Sequence, residues 1–332
     1  MKFTIPVNPT YHEVNNDVAK QWEKNKSPRY KEYRKKWSNN PLEFKLEEAP
    51  LHLDIEPTSA CNLKCPMCPR TVMLESGETN LSVETMPLDV YKKIIDEAAE
   101  IGVYSIKLNW LGEPMVHPDI VEMVRYAKEK GLVDVMFNTN GTLLNENISV
   151  ELIEAGIDKI FFSFDSPNKE KYESIRIGAK FDEVYNNIKR FVELRNEMGR
   201  TTPLTRMSMV LMEENSDEFE EYVEMFKDIV DVVAYVEFRE PMRETQKEYN
   251  YNFACSQLWQ RMFIAADGEV IVCCVDNTRE YVVGNIHQNS IKEIWRNEKY
   301  MEIRAKHSCG KYNEVAMCSK CDLPNRKESG TV

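Results

Sequence analysis

The sequence predicts an α/β protein: a partial (β/α)6, TIM-like barrel followed by a small cysteine-rich α+β domain. Three observations predict it. Strand and helix patterns alternate six times through residues 51–240. After Pro241 the alternation gives way to short strands, turns and one amphipathic stretch. The nine cysteines divide between these two regions, three near the start of the first and six in the second. A chain of 332 residues, 42% hydrophobic, has enough apolar surface for one large domain and a smaller appendage.

The elements follow in order. Residues 1–50 form a polar extension with a basic run, KQWEKNKSPRYKEYRKKW. It reads as a solvated helix packing its Trp and Tyr residues on the main body, or else as a lid over the substrate. LHLDIE (51–56) is a strand, and a cysteine loop follows it. Apolar residues at helical spacing mark 87–102, 117–131, 148–156, 181–199 and 216–230, with Ser216 as the N-cap of the last. Strands alternate with them at 104–110, 134–140, 159–166, 205–212 and 232–238. Such spacing implies βαβ units and a parallel sheet, in which the active site is built at the carboxyl ends of the strands. The region 241–332 shows the strand EVIVCC, a turn at Gly284–Asn285 and one helix, SIKEIWRNEKYMEIRAK. It is too small and polar to make a generous core, so a metal cluster is the expected staple.

Charge and patterning narrow the class. The net charge of −12 opposes nucleic acid or an anionic membrane as the main partner. There is no run of eighteen apolar residues and no apolar signal core at the N-terminus, so a cytoplasmic protein is expected. Clustered cysteines in such a chain point to metal or redox chemistry.

Cys61, Cys65 and Cys68 are spaced C-x3-C-x2-C. Structural zinc wants four ligands, whereas three thiolates on one short loop hold three corners of a [4Fe–4S] cube and leave the fourth iron open. This loop, following the first barrel strand, resembles that of the radical S-adenosylmethionine (SAM) superfamily. Companion residues extend the resemblance. LGEP (111–114) is similar to the family's Gly-Gly-Glu motif with Leu111 in place of the first glycine. The resemblance implies that Gly112 lets the backbone approach closely, and that Glu113 meets the methionyl ammonium, Ser163 the ribose and Arg176 the methionyl carboxylate. A surface salt bridge is the competing reading for Arg176. Met67 stands where the family usually has an aromatic residue beside the adenine. The implied chemistry is reductive cleavage of S-adenosylmethionine to a 5′-deoxyadenosyl radical, which takes a hydrogen atom from unactivated carbon. An external electron donor such as flavodoxin or ferredoxin is implied with it.

The remaining cysteines begin with Cys255-x12-Gly268-x4-Cys273 and a distant Cys318-x2-Cys321. Four thiolates from two segments suit zinc or a fully ligated [4Fe–4S] cluster, and spacing alone leaves both open. The pattern resembles the shortened SPASM domain called twitch, which implies one auxiliary [4Fe–4S] cluster. Cys274 adjoins a proposed ligand; on a strand it faces away from Cys273. It is either a buried small hydrophobe or a hydrogen-atom donor to a substrate radical. Cys309 is expected to be free.

The resemblance runs closest to enzymes of sugar and aminocyclitol metabolism. It implies dehydrogenation or epimerisation of a small hydroxylated molecule, with Asn109, Trp110, Asn138, Asn140, Glu237 and Arg239 as substrate candidates. Modification of a peptide or protein side chain is the alternative, and a non-catalytic metal-binding protein is a third reading.

Overall fold

The computed structural model describes residues 3–6, 12–77, 83–239 and 248–325. Its framework is one sheet of ten strands: β1 His12–Asn15, β2 His52–Ile55, β3 Ser105–Leu108, β4 Asp134–Thr139, β5 Lys159–Ser163, β6 Leu204–Leu211, β7 Val232–Glu237, β8 Arg261–Ile264, β9 Glu269–Ile271 and β10 Val282–Asn285. The order is β1-β7-β6-β5-β4-β3-β2-β8-β9-β10. Strands β2 to β7 are parallel and adjacent in chain order. Each consecutive pair is joined through a helix, as parallel pairing demands. These crossover helices are Leu88–Glu100, Ile120–Glu129, Glu146–Ala155, Phe181–Glu197 and Phe219–Phe226. The first buries Tyr91, Ile94, Ile95 and Ala98, an i, i+3, i+4, i+7 stripe set by the helical period. Together they form the partial (β/α)6 barrel.

The N-terminal extension closes the opposite end of the barrel from the cysteine loop. Helix Pro28–Leu42 starts at Ser27, whose hydroxyl accepts from Tyr30 N at 3.2 Å. Trp22, Tyr30, Tyr33, Trp37 and Leu51 form a buried cluster against Tyr104, Val133 and Leu204. Those three side chains stand at the amino ends of β3, β4 and β6. The basic run is therefore a plug under the barrel, and the lid reading does not hold for it. Residues 12–15 also pair antiparallel with β7 and so cover one sheet edge.

The cysteine-rich region continues the same sheet. β8 lies parallel to β2, and β9 and β10 add antiparallel to it. Three local expectations fail here and nearby, each for a packing reason. Gly284 and Asn285 lie within β10, opposite Val270 and Glu269, and the turn comes after them, with Gln288 N donating to Asn285 O at 3.0 Å. A Cβ on Gly284 would stand 2.9 Å from Ile294 Cγ1, so the glycine serves close helix packing. The predicted helix SIKEIWRNEKYMEIRAK is two helices, Ile291–Trp295 and Glu298–Ser308. Asn297 separates them: its side chain accepts from Tyr300 N at 2.9 Å and donates to Val283 O at 2.6 Å. Ser216 is not an N-cap. It ends a 3-10 turn over Glu213–Asn215, its hydroxyl bonds Glu213 O, and the helix begins at Phe219. Asn215 fixes that turn by donating to Asp165 O and Val210 O and accepting from Met212 N.

Candidate active site

The loop after β2 carries Cys61, Cys65 and Cys68 at the carboxyl end of the barrel. Cys68 N donates to Cys65 O at 3.0 Å, turning the chain into helix Pro69–Ser76. Pro69 suits the first helical turn because its missing N–H would have had no partner there. Lys64 N donates to Ile177 O at 3.0 Å, tying the loop to the segment beyond Arg176. Burial raises the Cys61 and Cys65 thiols above their ordinary value, and the Arg176 guanidinium opposes this at Cys65.

Gly112 decides how that loop meets the end of β3. A Cβ there would lie 2.0 Å from Thr58 O and 2.6 Å from Ala60 O. Only glycine allows this approach, which Glu113 N completes by donating to Ala60 O at 2.8 Å. The close approach is thus to the backbone that leads into the cysteines. The Glu113 carboxylate is buried and accepts from Thr139 Oγ1 at 2.7 Å, Asn140 N at 2.7 Å and Met115 N at 3.2 Å. A carboxylate offers about four acceptor sites, so three donors leave about one open. Burial pushes its pKa up and these bonds pull it down.

Arg176 is not a surface salt bridge. Its Nε donates to Asp165, a fully buried carboxylate, and one terminal nitrogen points at Cys65 Sγ, 3.9 Å away. Asp165 is held in turn, accepting from Val210 N at 2.8 Å. Desolvation works against the cation, but Asp165 and Cys65 outweigh it and keep Arg176 charged. Removing one partner of a buried pair leaves an uncompensated charge, at a cost of about 3–5 kcal/mol. Asp165→Asn is therefore expected to lower the unfolding free energy by that order, measured by denaturant titration. Asp165→Ala with Arg176→Met should recover part of the loss.

One open cavity of about 390 Å³ gathers this chemistry. Cys61, Cys65, Cys68, Met67, Gly112, Glu113, Ser163 and Arg176 line it, and so do Asn109, Trp110, Asn138, Asn140, Glu237 and Arg239. Asn138 Oδ1 is buried with no hydrogen-bond partner. Asn140 is already engaged: it donates to Asn62 Oδ1 and accepts from Thr142 N, bracing the cysteine loop. Trp110 is engaged as well, its indole N–H donating to Cys274 O at 2.9 Å.

That bond leads to the second cysteine set. Cys255, Cys273, Cys274, Cys318 and Cys321 all lie partly or largely buried in the C-terminal region, while Cys309 is exposed and donates to Ala305 O within its helix. Cys255, Cys318 and Cys321 pack on Phe253, Tyr312 and Leu323. Burial pushes the Cys255 thiol up to about 12. β9 stops at Ile271, so the two cysteines after it are not on a strand and the opposite-face argument fails. The Cys273 and Cys274 thiols are close enough to shift each other, Cys273 upward and Cys274 downward. Cys274 is not among the described residues that line the cavity, though its carbonyl holds Trp110, which does. His307, buried, accepts from Cys255 N at 3.2 Å through Nδ1, which leaves Nε2–H facing Cys318 Sγ at 3.4 Å. Burial lowers its pKa to about 3, so it stays neutral.

The family model described as the radical SAM superfamily matches residues 55–226, more than half of the chain. The chain belongs to the radical SAM superfamily. A second model, the SPASM iron–sulfur cluster-binding domain, matches residues 255–322. A radical SAM enzyme with a SPASM domain carries a SAM-binding [4Fe–4S] cluster, auxiliary cluster binding and S-adenosylmethionine itself. Cys61, Cys65 and Cys68 fit the first as three thiolates on one loop beside an open cavity. The buried C-terminal thiolates fit the second.

Among sequence relatives, the chain is 26% identical over 246 residues to a probable GTP 3′,8-cyclase of Methanocaldococcus jannaschii, covering 74% of this chain and 77% of that one. It is 28% identical over 309 residues to the tungsten-containing aldehyde ferredoxin oxidoreductase cofactor-modifying protein of Pyrococcus furiosus, covering 76% and 83%. Neither name is that of a sugar dehydrogenase. Among solved structures, Streptococcus suis SuiB bound to S-adenosylmethionine superposes with TM-score 0.63 at 17% identity, over 87% of this chain and 75% of that one. BtrN in complex with AdoMet and 2-DOIA does so with TM-score 0.54 at 19% identity, over 82% and 92%. These likenesses establish the fold.

Two site residues escape sequence reading. Glu56, at the end of β2, accepts from Leu111 N at 3.1 Å and Ala266 N at 3.2 Å, joining the Gly112 loop to the β8–β9 turn. Asp165 anchors Arg176. Both are acids one or two residues past a strand end, the position where barrel sites are built, and that placement is the signal the sequence offers for them. No helix among the described residues is long and apolar enough to cross a membrane.

Proposed function

We propose that this radical SAM enzyme oxidises a small hydroxylated molecule, a sugar, nucleotide sugar or aminocyclitol, by dehydrogenation. The observation that carries the reading is an open cavity in which the three cysteines meet polar side chains, among them Asn138, whose Oδ1 has no hydrogen-bond partner. A side-chain amide at the cavity wall with an unpaired acceptor can turn it toward a substrate hydroxyl or amine. Asn109, Glu237 and Arg239 surround the same space. Together they suit a compact polar molecule.

When bound, the cofactors supply the 5′-deoxyadenosyl radical and, at the auxiliary cysteines, a site for electron transfer. The chain's own residues do the rest. The open acceptor site of Glu113, held against the cysteine loop by Gly112, receives the methionyl ammonium, Arg176 the carboxylate, Ser163 the ribose, and Met67 packs the adenine. Cys255, Cys273, Cys318 and Cys321 hold one auxiliary cluster, with Cys274 beside them. Dehydrogenation is favoured over epimerisation because Cys274, the candidate donor, is not among the described residues that line the cavity. The physiological electron donor is a flavodoxin or ferredoxin.

The test is turnover of reduced, reconstituted protein on a panel of sugars, nucleotide sugars and aminocyclitols in deuterated water. The expected product is oxidised by two electrons and carries no solvent deuterium at the altered carbon. Solvent deuterium there, with no net oxidation, would make the enzyme an epimerase.

A second reading, modification of a peptide side chain, has one structural observation in its favour. A neighbouring cavity of about 480 Å³, lined by Pro66, Ile175 and Met212, shares Met67 and Phe238 with the first. Combined, the two would take a longer substrate. Stimulation of 5′-deoxyadenosine formation by peptides alone would select this reading.

A further inference from the structure

Arg239 follows β7 and belongs to two environments. Its side chain lines the cavity of the first cysteine loop. It also forms an ion pair with Asp322, the residue after Cys321, at 3.9 Å. That separation exceeds a hydrogen bond, so the pair is electrostatic and loose. Asp322 is its one ion-pair partner among the described residues. The guanidinium is mostly covered, with about a fifth of the side chain exposed. Burial disfavours its charge, and the fields of Cys274, Asp322, Cys321 and Cys273 restore it. Other cations near these cysteines are committed, Arg261 to Asp54 at 3.3 Å and Lys320 to Glu280. Among the described residues Arg239 is thus a covered cation with donors to spare, standing between the cavity and the auxiliary cysteines.

We propose that Arg239 anchors an anionic group of the substrate, a carboxylate or phosphate, and thereby couples occupancy of the cavity to the reduction potential of the auxiliary cluster. The inference rests on the auxiliary-cluster reading above. A planar guanidinium with five donors pairs bidentately with either anion. A positive charge beside thiolate ligands favours the reduced, more negative cluster, because potential follows net charge and hydrogen bonding around the sulfurs. An anion on Arg239 offsets that charge and lowers the potential. The coupling keeps the auxiliary site oxidised, and ready to take an electron, while substrate is bound.

The experiment is a redox titration followed by electron paramagnetic resonance on the full chain holding both clusters. Wild type, Arg239→Gln and Arg239→Lys are compared without additive, with inorganic phosphate and with acetate. Arg239→Gln is expected to lower the auxiliary potential and leave the first cluster's potential in place. Arg239→Lys is expected to stay near wild type. Phosphate or acetate should lower the wild-type auxiliary potential and leave that of Arg239→Gln unmoved, and the anion acting at the lower concentration identifies the substrate group. An auxiliary potential equal in wild type and Arg239→Gln overturns the inference, as do anion shifts of the same size in both. Iron near four per chain with one cluster signal overturns the auxiliary-cluster reading itself, and the inference with it.

Discussion

Replacing Cys65 with serine is expected to abolish 5′-deoxyadenosine formation, to the level of a control without protein. Cys65 is the buried member of the loop triad, and Arg176 is aimed at its sulfur. A serine hydroxyl is a hard, protonated oxygen in place of a thiolate, and an iron–sulfur cluster held by two cysteines on one loop loses its seat. Iron should fall from about eight to about four per chain, because the C-terminal set is untouched. Arg176 would keep its Asp165 partner, so the fold should survive. A variant that retains full yield would remove Cys65 from the site.

The second large effect is at Gly112. Gly112→Val would place its Cβ 2.0 Å from Thr58 O, far inside van der Waals contact. The obstacle is backbone, so no side-chain rotation relieves it, and the two loops must part. Overpacking of this kind costs about 1–3 kcal/mol or more, and here the strain falls on the segment leading into Cys61. Loss of the first cluster and of SAM cleavage is expected, with the C-terminal cysteines still metallated. Gly199→Ala is the control. Its φ of +68° strains a side chain by about 1–2 kcal/mol, yet nothing lies within 4 Å and the site is distant. It should lower stability slightly and leave iron content intact. Equal iron loss in both variants would mean that Gly112 acts through general stability.

Much of this arrangement is legible in the sequence because it depends on local periodicity and on cysteine spacing. The barrel strands announce themselves as apolar runs between amphipathic helices, and the order of those units places the loop after β2 at the catalytic end. What the sequence does not carry is the partner of a side chain from a distant segment. Arg176 reads equally well as a surface ion pair because Asp165, eleven residues earlier, reveals nothing of its burial. Cys273 and Cys274 read as alternating strand residues because the end of β9 at Ile271 is set by its pairing with distant segments, two residues with β8 and three with β10. The Gly284–Asn285 pair resembles a turn in sequence, yet close contact with Ile294 explains its glycine. The plug under the barrel is readable as aromatic packing. Its place at the amino ends of the strands follows from Tyr104, Val133 and Leu204, which are ordinary residues until the sheet closes.

The most direct test of the central claim is the fate of S-adenosylmethionine on the anaerobically reconstituted, reduced chain. Protein holding both clusters should release methionine and 5′-deoxyadenosine in equal amounts, and release should quicken when a true substrate fills the cavity. Fully metallated, reduced protein that binds S-adenosylmethionine and yields no 5′-deoxyadenosine would contradict the account.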